Sequence, residues 1–416
     1  HAPKGCDPLG PENPLIVSGG LLTATCASAT SRTHIMAKSP LTNLLGSCNM
    51  GGFFSPEMAW AGFHHLVITG KADKPVYLWI HNGEIEIRDA SHLWGKTCTE
   101  TQWAIREDHG DEEIKSMVIG AAGENLVTYA CVMTGIKNSG GRSGMGCVMG
   151  SKNLKAVACR GDMDIKLAHP VDALEHNKTF IEQITSAKVN QTQGTLGTPF
   201  IWGATNCWGG VRTRNFQYNQ MLYADEIEPE AIDDIATETM GPHHMAGCFG
   251  CQVHCRAKYK IKTGPLAGKY DEGPEYTSLG AFGSEPDCKK AETVLSANHL
   301  VDQYGVDNLE IGSIISWAME LYELGILTDK ETDGLELKFG NDAALIEMIH
   351  QICNRSSWLG NVLADGGIPA SEAIGKNSFD YLIQVKGMNN LHSDERATPG
   401  LALNIATASR GSDHLR

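Results

Sequence analysis

The chain has 416 residues, of which 42% are hydrophobic and 20% are charged. This is a globular composition, and the length suffices for two or three domains. The formal net charge of −15 argues against a nonspecific nucleic-acid binder, because neutralising phosphates needs a cationic surface. The sequence has no run of about 18 apolar residues, so we predict no membrane span.

Short apolar or alternating runs dominate the chain up to about residue 165. Gly, Asn or Pro bounds nearly all of them, which predicts strands at 14–20, 65–71, 75–80, 84–90, 115–121, 127–133 and 154–160. The tripeptide "HNG" at 81–83 predicts a hairpin between two of these strands. A capping box from Thr99 to Gln102 predicts a helix at about 99–108.

The pattern changes to helical periodicity after residue 170. Apolar residues recur at 3.6-type spacing in 171–187, 289–305, 308–326, 341–355 and around 360–375. A β-rich region followed by a mainly helical one predicts an α+β fold.

The chain contains thirteen cysteines. Most lie in apolar or glycine-rich runs, such as Cys131 in "VTYACVM" and Cys159 in "KAVACRG". Cysteines in such runs behave as small buried hydrophobes of a reduced compartment. The odd count points the same way, so we expect a cytoplasmic protein.

The stretch "GCFGCQVHC" at 247–255 places Cys248, Cys251 and Cys255 at the spacing C-x2-C-x3-C. Such a turn lets three thiolates converge on an iron–sulfur cube, with a fourth ligand from elsewhere. One alternative is a tetrahedral zinc site completed by His243, His244 or His254. Purely structural cysteines are the other. The spacing favours the iron–sulfur interpretation.

Two glycine-rich segments, 38–52 and 138–157, each contain clustered glycines beside a basic residue. Neither contains the P-loop pattern, and neither opens with G-x-G-x-x-G after a strand. Exposed backbone N–H groups and a nearby guanidinium can still hold a phosphate. Tight turns between strands are the alternative interpretation.

Several segments together resemble the tungsten-containing aldehyde:ferredoxin oxidoreductase family. They follow one another in the family's order: "GPEN", "KSPLT", "EIEIRDASHLWGK", "AGENLV", "GRSGMGCVMGSKNLKAV", "CFGCQVHC", "GPEYTS", "ANHLVDQYGVDN" and "SRGSDHLR". The resemblance covers essentially the whole chain. It also implies a partial sequence, because relatives extend beyond both ends and supply the fourth cluster cysteine after "SRGSDHLR".

The resemblance implies an enzyme that oxidises a small-molecule aldehyde to a carboxylic acid at a tungsten bis-molybdopterin, with molybdenum as the alternative metal. A Mg2+ ion would bridge the pterin phosphates. Electrons would pass through a [4Fe–4S] cluster to ferredoxin or an iron–sulfur partner subunit, in an anaerobic cytoplasm. A homo- or hetero-oligomer is compatible with the family. The implied domains are a pterin-binding domain (1–165), a helical domain with the cluster cysteines (166–382) and the start of a further helical domain (383–416).

The family's pterin-contacting positions carry over to two groups of residues. The first is Arg32, Asn49, Gly51, Ser139, Gly141 and Arg142; the second is Asp302, Gly305 and Asp307 in "DQYGVDN", where Val306 replaces the family's Leu. Where relatives have Arg and Ala, this chain has Asn138 and Ser139. Lys137 is our candidate replacement for the lost Arg.

The resemblance also suggests catalytic residues. His414 matches the family's active-site His, and a titration range near neutral pH suits it to moving protons. Thr277 stands where aldehyde-oxidising relatives have Glu, so Glu275 is a second candidate, with a carboxylate held in an ion pair as the alternative. The Thr277 departure also leaves room for another reaction, such as that of aromatic acyl-CoA reductases. A non-enzymatic electron-transfer subunit is a third hypothesis.

The stretch "CRAKYKIK" places Arg256, Lys258, Lys260 and Lys262 at alternate positions after the cluster cysteines. If it forms a strand, all four side chains share one face. We expect such a cationic face to steer an acidic ferredoxin towards the cluster. Lysines protecting a solvated strand edge are the alternative.

Overall fold

The computed structural model describes residues 2–236, 245–264 and 266–415. The chain begins with a four-stranded antiparallel sheet in the order β3-β2-β1-β4. Its strands are β1 (Leu15–Gly19), β2 (Thr33–Lys38), β3 (Leu45–Met50) and β4 (His65–Ile68). Buried and partly exposed positions alternate along β2, as expected for a strand with one face on a core.

A second sheet has six strands in the order β6-β5-β10-β7-β8-β9. They are β5 (Val76–His81), β6 (Glu84–Asp89), β7 (Lys115–Val118), β8 (Val132–Thr134), β9 (Asn138–Gly140) and β10 (Leu154–Arg160). The β5–β10 pair is parallel and the other pairs are antiparallel. The central strand β10 is buried on both faces, which explains its nearly continuous apolar sequence.

The two sheets share a core. Leu15 and Ile35 of the first sheet pack in one apolar cluster with Val157 of the second. Helices α1 (Phe54–Trp60) and α4 (Met145–Ser151) contribute Phe54 and Val148 to this cluster. The opposite face of the second sheet is covered by helix α2 (Cys98–His109).

The rest of the described chain is mainly helical. The remaining helices are α3 (Ala121–Glu124), α5 (Pro170–Ser186), α6 (Lys188–Leu196), α7 (Trp202–Cys207), α8 (Pro229–Ile235), α9 (Tyr276–Leu279), α10 (Ala291–Tyr304), α11 (Asn308–Glu323), α12 (Asp342–Asn354), α13 (Trp358–Ala364), α14 (Gly367–Ile374) and α15 (Pro399–Thr407). Short strands β11 (Met245–Ala246), β12 (Arg256–Lys260) and β13 (Tyr270–Glu272) form a small sheet, and β14 (Gln384–Val385) pairs with β15 (Met388–Asn389).

The helical region packs against the sheets through the connection between α10 and α11. The Cys131 N–H donates to the Gly305 carbonyl at 2.8 Å, and Ala130 forms a bridge with Val306. Gly305 ends α10 in the left-handed conformation, with φ 67°, and a Cβ there would lie 3.0 Å from Cys98 Sγ. Only glycine meets both demands without strain.

The α+β prediction is confirmed, with sheets in the N-terminal region and helices after it. The strand predicted at 127–133 is wrong in extent. The structure has only β8 there, because the Thr128 N–H and the Tyr129 carbonyl bond to distant segments, at Ala364 and Asp307. Strands β2 and β3 were not predicted, since turn-forming residues surround them.

The predicted capping box is also misplaced. It lies at Thr97 and Glu100, where each side chain bonds the other residue's N–H, at 3.3 and 3.0 Å. Gln102 instead bonds Gly135 in the adjacent loop. Among the described residues, no helix is both long and apolar enough to cross a membrane.

Candidate active site

A cavity of about 670 Å3 lies where the first sheet, the cysteine turn and the helical region meet. Most of the residues predicted for the site line it: Arg32, Asn49, Gly51, Ser139, Gly141, Arg142, Cys248, Cys255, Glu275, Asp302, Asp307 and His414. Cys251 and Gly305 are not part of the lining. The cavity therefore joins segments that are far apart in sequence.

The cysteine turn is fixed against the N-terminal sheets. The Cys251 N–H donates to the Cys248 carbonyl at 3.0 Å, and the Phe249 N–H donates to the Gly52 carbonyl at 3.2 Å. The Phe249 ring packs edge-on against Phe53 and Trp60, with centroids 6.3 and 5.3 Å away. These contacts hold the turn that carries the three half-buried cysteines, of which Cys248 and Cys255 line the cavity.

The surroundings of Cys248 fit a thiolate that binds an inorganic centre. Asn138 Nδ2 donates to Cys248 Sγ at 3.7 Å, and a Cβ on Gly51 would lie 2.8 Å from the same sulfur. Gly51 therefore leaves the sulfur room, and the amide supplies a hydrogen bond of the kind that tunes iron–sulfur clusters. Within the described ranges, no three His, Cys, Asp or Glu side chains are grouped to hold one metal ion. For the zinc alternative, His243 and His244 lie outside those ranges.

Arg256 fixes the position of the Asn138 side chain. Its Nη1 donates to Asn138 Oδ1 at 2.6 Å and to Glu272 Oε2 at 2.8 Å. Arg256 is 6% exposed, so the expectation that it shares an exposed cationic face is wrong. Its ion pair with Glu272 draws the side chain inward, whereas Lys258 and Lys260 on the same strand are exposed.

Arg142 occupies a buried ionic cluster at the wall of the cavity. Its Nε donates to Asp307 Oδ2 at 3.2 Å, and its Nη2 donates to Glu310 Oε2 at 3.0 Å and to the Asn389 carbonyl at 2.6 Å. Its Nη1 donates to the Ser412 carbonyl. These bonds use most of the guanidinium donors, so Arg142 joins four chain segments. Despite the Arg142 charge, burial raises the pKa of Glu310 to about 7.

Lys137 and Glu275 form an ion pair at another part of the wall. The second Glu275 oxygen accepts from Thr198 Oγ1 at 2.5 Å, and Thr198 Oγ1 in turn accepts from the Tyr276 N–H at 2.8 Å. Burial lowers the pKa of Lys137. This geometry favours the ion-paired alternative for Glu275. Thr277, two residues after Glu275 and on α9, also lines the cavity.

The side chain of Asp302, on α10, is also held in place. Asn298 Nδ2 donates to Asp302 Oδ2 at 3.2 Å. Burial raises the pKa of Asp302 well above its usual range, and Asp271 adds to this effect. A protonated Asp302 can donate a hydrogen bond into the cavity, which an ionised carboxylate cannot.

The C-terminal segment supplies Arg410, Asp413 and His414 to the lining. Arg410 is buried, forms an ion pair with Asp413 and donates to the Ser47 carbonyl of β3. The His414 side chain is 41% exposed, with Nδ1 3.7 Å from Asp413 Oδ1. Desolvation lowers the pKa of His414, and Asp413 opposes this. His414 therefore sits at the mouth of the cavity, predominantly neutral at pH 7.

Sequence reasoning did not single out Arg410 or His392 as site residues. His392 lies in "NNLHSDER", which matches no motif, and its place in the lining follows from packing against a distant segment. In the sequence Asn138 is distinguished only as a departure from the family pattern, and its bond to Cys248 is visible only in the structure.

Comparisons with known proteins identify the family. Residues 1–161 match the aldehyde ferredoxin oxidoreductase N-terminal domain, and residues 175–416 match domains 2 and 3 of the same family. The chain belongs to the aldehyde ferredoxin oxidoreductase family. This confirms the resemblance inferred from the motifs, and it places the chain in a family of oxidoreductases.

Relatives within the family have names that denote different activities. The chain is 37% identical to a tungsten-containing aldehyde ferredoxin oxidoreductase of Pyrococcus abyssi over 99% of its own length and 66% of the relative's. It is 30% identical to the WOR-like subunit of an aliphatic sulfonate oxidoreductase of Pyrococcus furiosus, covering 98% of this chain and 67% of the relative. The chain thus spans about two-thirds of the length of these relatives.

A solved structure has the same fold. It is the active-site complex of a benzoyl coenzyme A reductase bound to 1,5-dienoyl-CoA, with a TM-score of 0.82 and 29% sequence identity. The match covers 94% of this chain and 60% of that one.

Proposed function

We propose that this chain is the catalytic part of a tungsten–pterin oxidoreductase that oxidises aldehydes to carboxylic acids. The observation that carries the proposal is the shared cavity. The cysteine turn, the glycine-rich loop at 139–142 and His414, the family's acid–base position, all line this one cavity of about 670 Å3. That volume is within the range of cofactor and ligand sites.

The residues present fit a bis-pterin. Gly51 and Gly141 expose backbone to the cavity, and Arg32 offers a guanidinium that bonds only weakly to the Asn49 carbonyl, at 3.5 Å. Exposed backbone and a guanidinium suit the anionic pterin phosphates, with Mg2+ sharing the charge. When bound, the tungsten–pterin would supply a two-electron oxidant for the substrate.

The spacing of the three cysteines supports the second part of the proposal. Cys248, Cys251 and Cys255 would hold a [4Fe–4S] cluster, with a fourth ligand from elsewhere in the protein. Cys248 and Cys255 face the cavity, so electrons would leave it at the cysteine turn. The exposed Lys258 and Lys260 lie on the strand that follows, where they would attract an acidic ferredoxin or an iron–sulfur partner subunit.

His414 is our candidate for moving protons at the cavity mouth. Its mainly neutral imidazole can accept a proton near pH 7, and Asp413 stabilises the imidazolium that forms. Glu275 would serve instead to position Lys137 and the start of α9, because both its oxygens are engaged. We also propose a cytoplasmic location and keep the domain boundaries near residues 165 and 382.

A second function is reduction of an aromatic acyl-CoA. It is favoured by the benzoyl coenzyme A reductase fold match and by Thr277, which removes the carboxylate that aldehyde-oxidising relatives are expected to place there. A hydroxyl at this position can donate a hydrogen bond but cannot act as a general base near pH 7.

The two functions are separated by one set of assays. The full-length protein is purified without oxygen and supplied with short-chain and aromatic aldehydes, using benzyl viologen as electron acceptor. In parallel, it is supplied with 1,5-dienoyl-CoA and the same acceptor. Aldehyde-dependent viologen reduction supports the first function, and viologen reduction with the dienoyl-CoA alone supports the second. If neither substrate reduces viologen, both functions are contradicted.

Cysteine variants test the cluster in the same preparations. Cys251→Ser should lose iron and viologen reduction, because a serine hydroxyl is a poor ligand for an iron–sulfur cluster. Cys207→Ser is the matched control, since Cys207 is an exposed free thiol outside the cavity. Equal iron in both variants would contradict the assignment of the cysteine turn.

A further inference from the structure

We infer that a second pocket is the docking site of an acidic iron–sulfur protein, which takes electrons from the cluster with one of its carboxylates on Arg106 and Lys115 and its apolar surface on Trp103. This inference rests on the proposed function and adds the partner's site to it. The pocket has a volume of about 240 Å3 and is lined by residues of α2, β7, the β8–β9 hairpin, β12 and β13. We call it the sheet-side pocket.

The sheet-side pocket adjoins the cysteine turn. Asn138 and Arg256 line both this pocket and the larger cavity. Asn138 Nδ2 donates to Cys248 Sγ at 3.7 Å, so a partner seated in the pocket is one side chain away from a cluster ligand. Phe53, also in the lining, packs edge-on against Phe249 of the cysteine turn. A protein docked here therefore approaches the cluster and leaves the larger cavity to the aldehyde.

The pocket is cationic, although the chain carries a net charge of −15. Its lining contains Arg106, Lys115 and Arg256 but a single carboxylate, Glu272, which pairs with Arg256. Lys115 pairs with Glu113, whose side chain is 72% exposed, and such exposed pairs are weak. The charge left on Arg106 and Lys115 favours an acidic partner.

Arg106 lacks the anion that a half-buried guanidinium commonly has. Its Nε donates to the Ile114 carbonyl at 3.1 Å, but no carboxylate of the described residues forms an ion pair with it. Burial lowers the pKa of Arg106, and Glu113 and Glu112 oppose this without contacting it. A guanidinium binds a carboxylate through two parallel hydrogen bonds, so a carboxylate of the partner supplies the missing anion.

The walls of the pocket are held in place before a partner binds. Gln102 Nε2 donates to the Gly135 carbonyl at 2.7 Å, and its Oε1 accepts from the Gly135 N–H at 2.9 Å. Thr134 Oγ1 donates to the Ser116 carbonyl at 2.7 Å. Because these bonds join α2, β7 and the β8–β9 hairpin, docking orders little further chain.

Trp103 gives the pocket an apolar anchor. It lies one helical turn before Arg106 on α2 and is 56% exposed. Trp and Arg carry much of the binding energy of protein interfaces. The volume of about 240 Å3 is below the range of about 300–1,000 Å3 that is usual for small-molecule sites, which favours side chains of a protein as the occupant.

Lys258 extends the positive charge beyond the pocket. It is exposed and lies directly opposite Glu272 in the pairing of β12 with β13. Side chains of directly opposed residues share one face of a sheet, so Lys258 is next to the wall that Glu272 forms. The lysine proposed to attract the partner therefore adjoins the pocket in which the partner's carboxylate binds.

The transfer conserves electrons and needs no proton. The reduced cluster gives one electron to the oxidised iron–sulfur protein, so one cluster is oxidised and the other is reduced by one electron. Two such transfers carry the two electrons that one aldehyde releases.

Binding is the first test, because it needs no turnover. The oxidised full-length holoenzyme is titrated in a calorimeter, without oxygen, with an acidic bacterial ferredoxin that holds two [4Fe–4S] clusters. Arg106→Glu should raise the Kd about tenfold or more at low salt, and Arg106→Gln and Trp103→Ala about threefold or more. Lys330→Glu and Trp358→Ala are matched controls that should change the Kd less than twofold, since both residues are exposed and line neither cavity.

Hydroxyl-radical footprinting identifies the occupant. Trp103 should be oxidised readily in the free full-length protein and protected by ferredoxin, whereas oxidation of Trp358 should not change. Protection of Trp103 in the free protein would show that another segment covers it, and protection that rises with enzyme concentration would show a second copy there. Either result would overturn the inference. So would a ferredoxin that does not bind, or one whose Kd is the same for the wild type, Arg106→Glu and Trp103→Ala.

Kinetics separate this inference from the proposed function. With benzaldehyde as substrate, Arg106→Glu should lower kcat/KM for ferredoxin about tenfold or more. Reduction of benzyl viologen should stay unchanged, because this small acceptor needs no docking site, and that result also excludes misfolding. Equal losses with both acceptors in Arg106→Glu, Arg106→Gln and Trp103→Ala would contradict docking. If the wild type oxidises no aldehyde, the proposed function fails, and the Kd values and the footprint still decide whether the pocket binds the iron–sulfur protein.

Discussion

Removing the Arg142 guanidinium should destabilise the wall between the glycine-rich loop and helix α11. Arg142 is 3% exposed and pairs with Asp307 and Glu310, whose side chains are 2% and 0% exposed. In Arg142→Met these two carboxylates lose their shared cation inside the protein. Breaking a buried pair of this kind typically costs about 3–5 kcal/mol.

Hydrogen exchange followed by mass spectrometry reports this cost locally. Peptides covering the first turns of α11, residues 308–316, should exchange roughly two to four powers of ten faster in Arg142→Met, since each 1.4 kcal/mol is about tenfold. Lys74→Met is the matched control, because the Lys74–Asp89 pair is exposed and such pairs contribute about 1 kcal/mol or less.

A further variant separates lost charge balance from lost packing. In the Arg142→Met background, Asp307→Asn should recover part of the protection, since it removes a carboxylate that has lost its cation, while the amide oxygen can still accept from the Leu309 N–H. If Arg142→Met exchanged no faster than Lys74→Met, the ionic cluster would not stabilise this wall, and the reasoning would be refuted.

Three further predictions follow from other contacts. Asn138→Ala should lower the reduction potential of the cluster by roughly 20–60 mV, the equivalent of one hydrogen bond of about 0.5–1.5 kcal/mol to Cys248. An EPR-monitored redox titration that shows no shift would exclude this role of Asn138. The folded-state pKa of Glu310 is about 7, above the usual 4.5 of a glutamate. Glu310 therefore contributes its full stabilisation of the folded protein below pH 4.5, and this contribution is lost as the pH rises through 7. Between pH 4 and 8 the free energy of unfolding, measured with urea, should fall by roughly 3 kcal/mol more in the wild type than in Glu310→Gln. A wild-type pH dependence in the variant would contradict this prediction. Reversing Lys258 and Lys260 to Glu should slow reduction of an acidic ferredoxin about tenfold at low salt and flatten its salt dependence, while viologen reduction stays unchanged; unaltered ferredoxin kinetics would count against the steering role.

Local patterns in the sequence were enough to predict much of the fold. The periodicity of 308–326 and 341–355 predicted α11 and α12 to within a few residues, because their apolar faces pack on the helical core. The hairpin at 81–83 was also correct: Asn82 and Gly83 both have positive φ, as the tight turn requires. Strands β2 and β3 were missed because neither has a long apolar run; they are specified by pairing with each other and with β1.

The site was predictable only in part, for a physical reason. Cys248 came from the cysteine spacing and Arg32 and Asn49 came from the family resemblance, and the structure places all three around one cavity. The bonds of Arg142 to Asn389 and Ser412, by contrast, join residues more than 240 positions apart. No local pattern encodes such contacts, and the Glu285–His392 pair, 107 positions apart, went unpredicted for the same reason.

The most direct test of the central claim is the metal content of the full-length protein purified without oxygen. Elemental analysis should find tungsten at about one atom per chain and iron at about four, as a tungsten–pterin and one [4Fe–4S] cluster require. Iron without tungsten or molybdenum would contradict the pterin enzyme and favour an electron-transfer subunit. Zinc alone would contradict the role assigned to Cys248, Cys251 and Cys255.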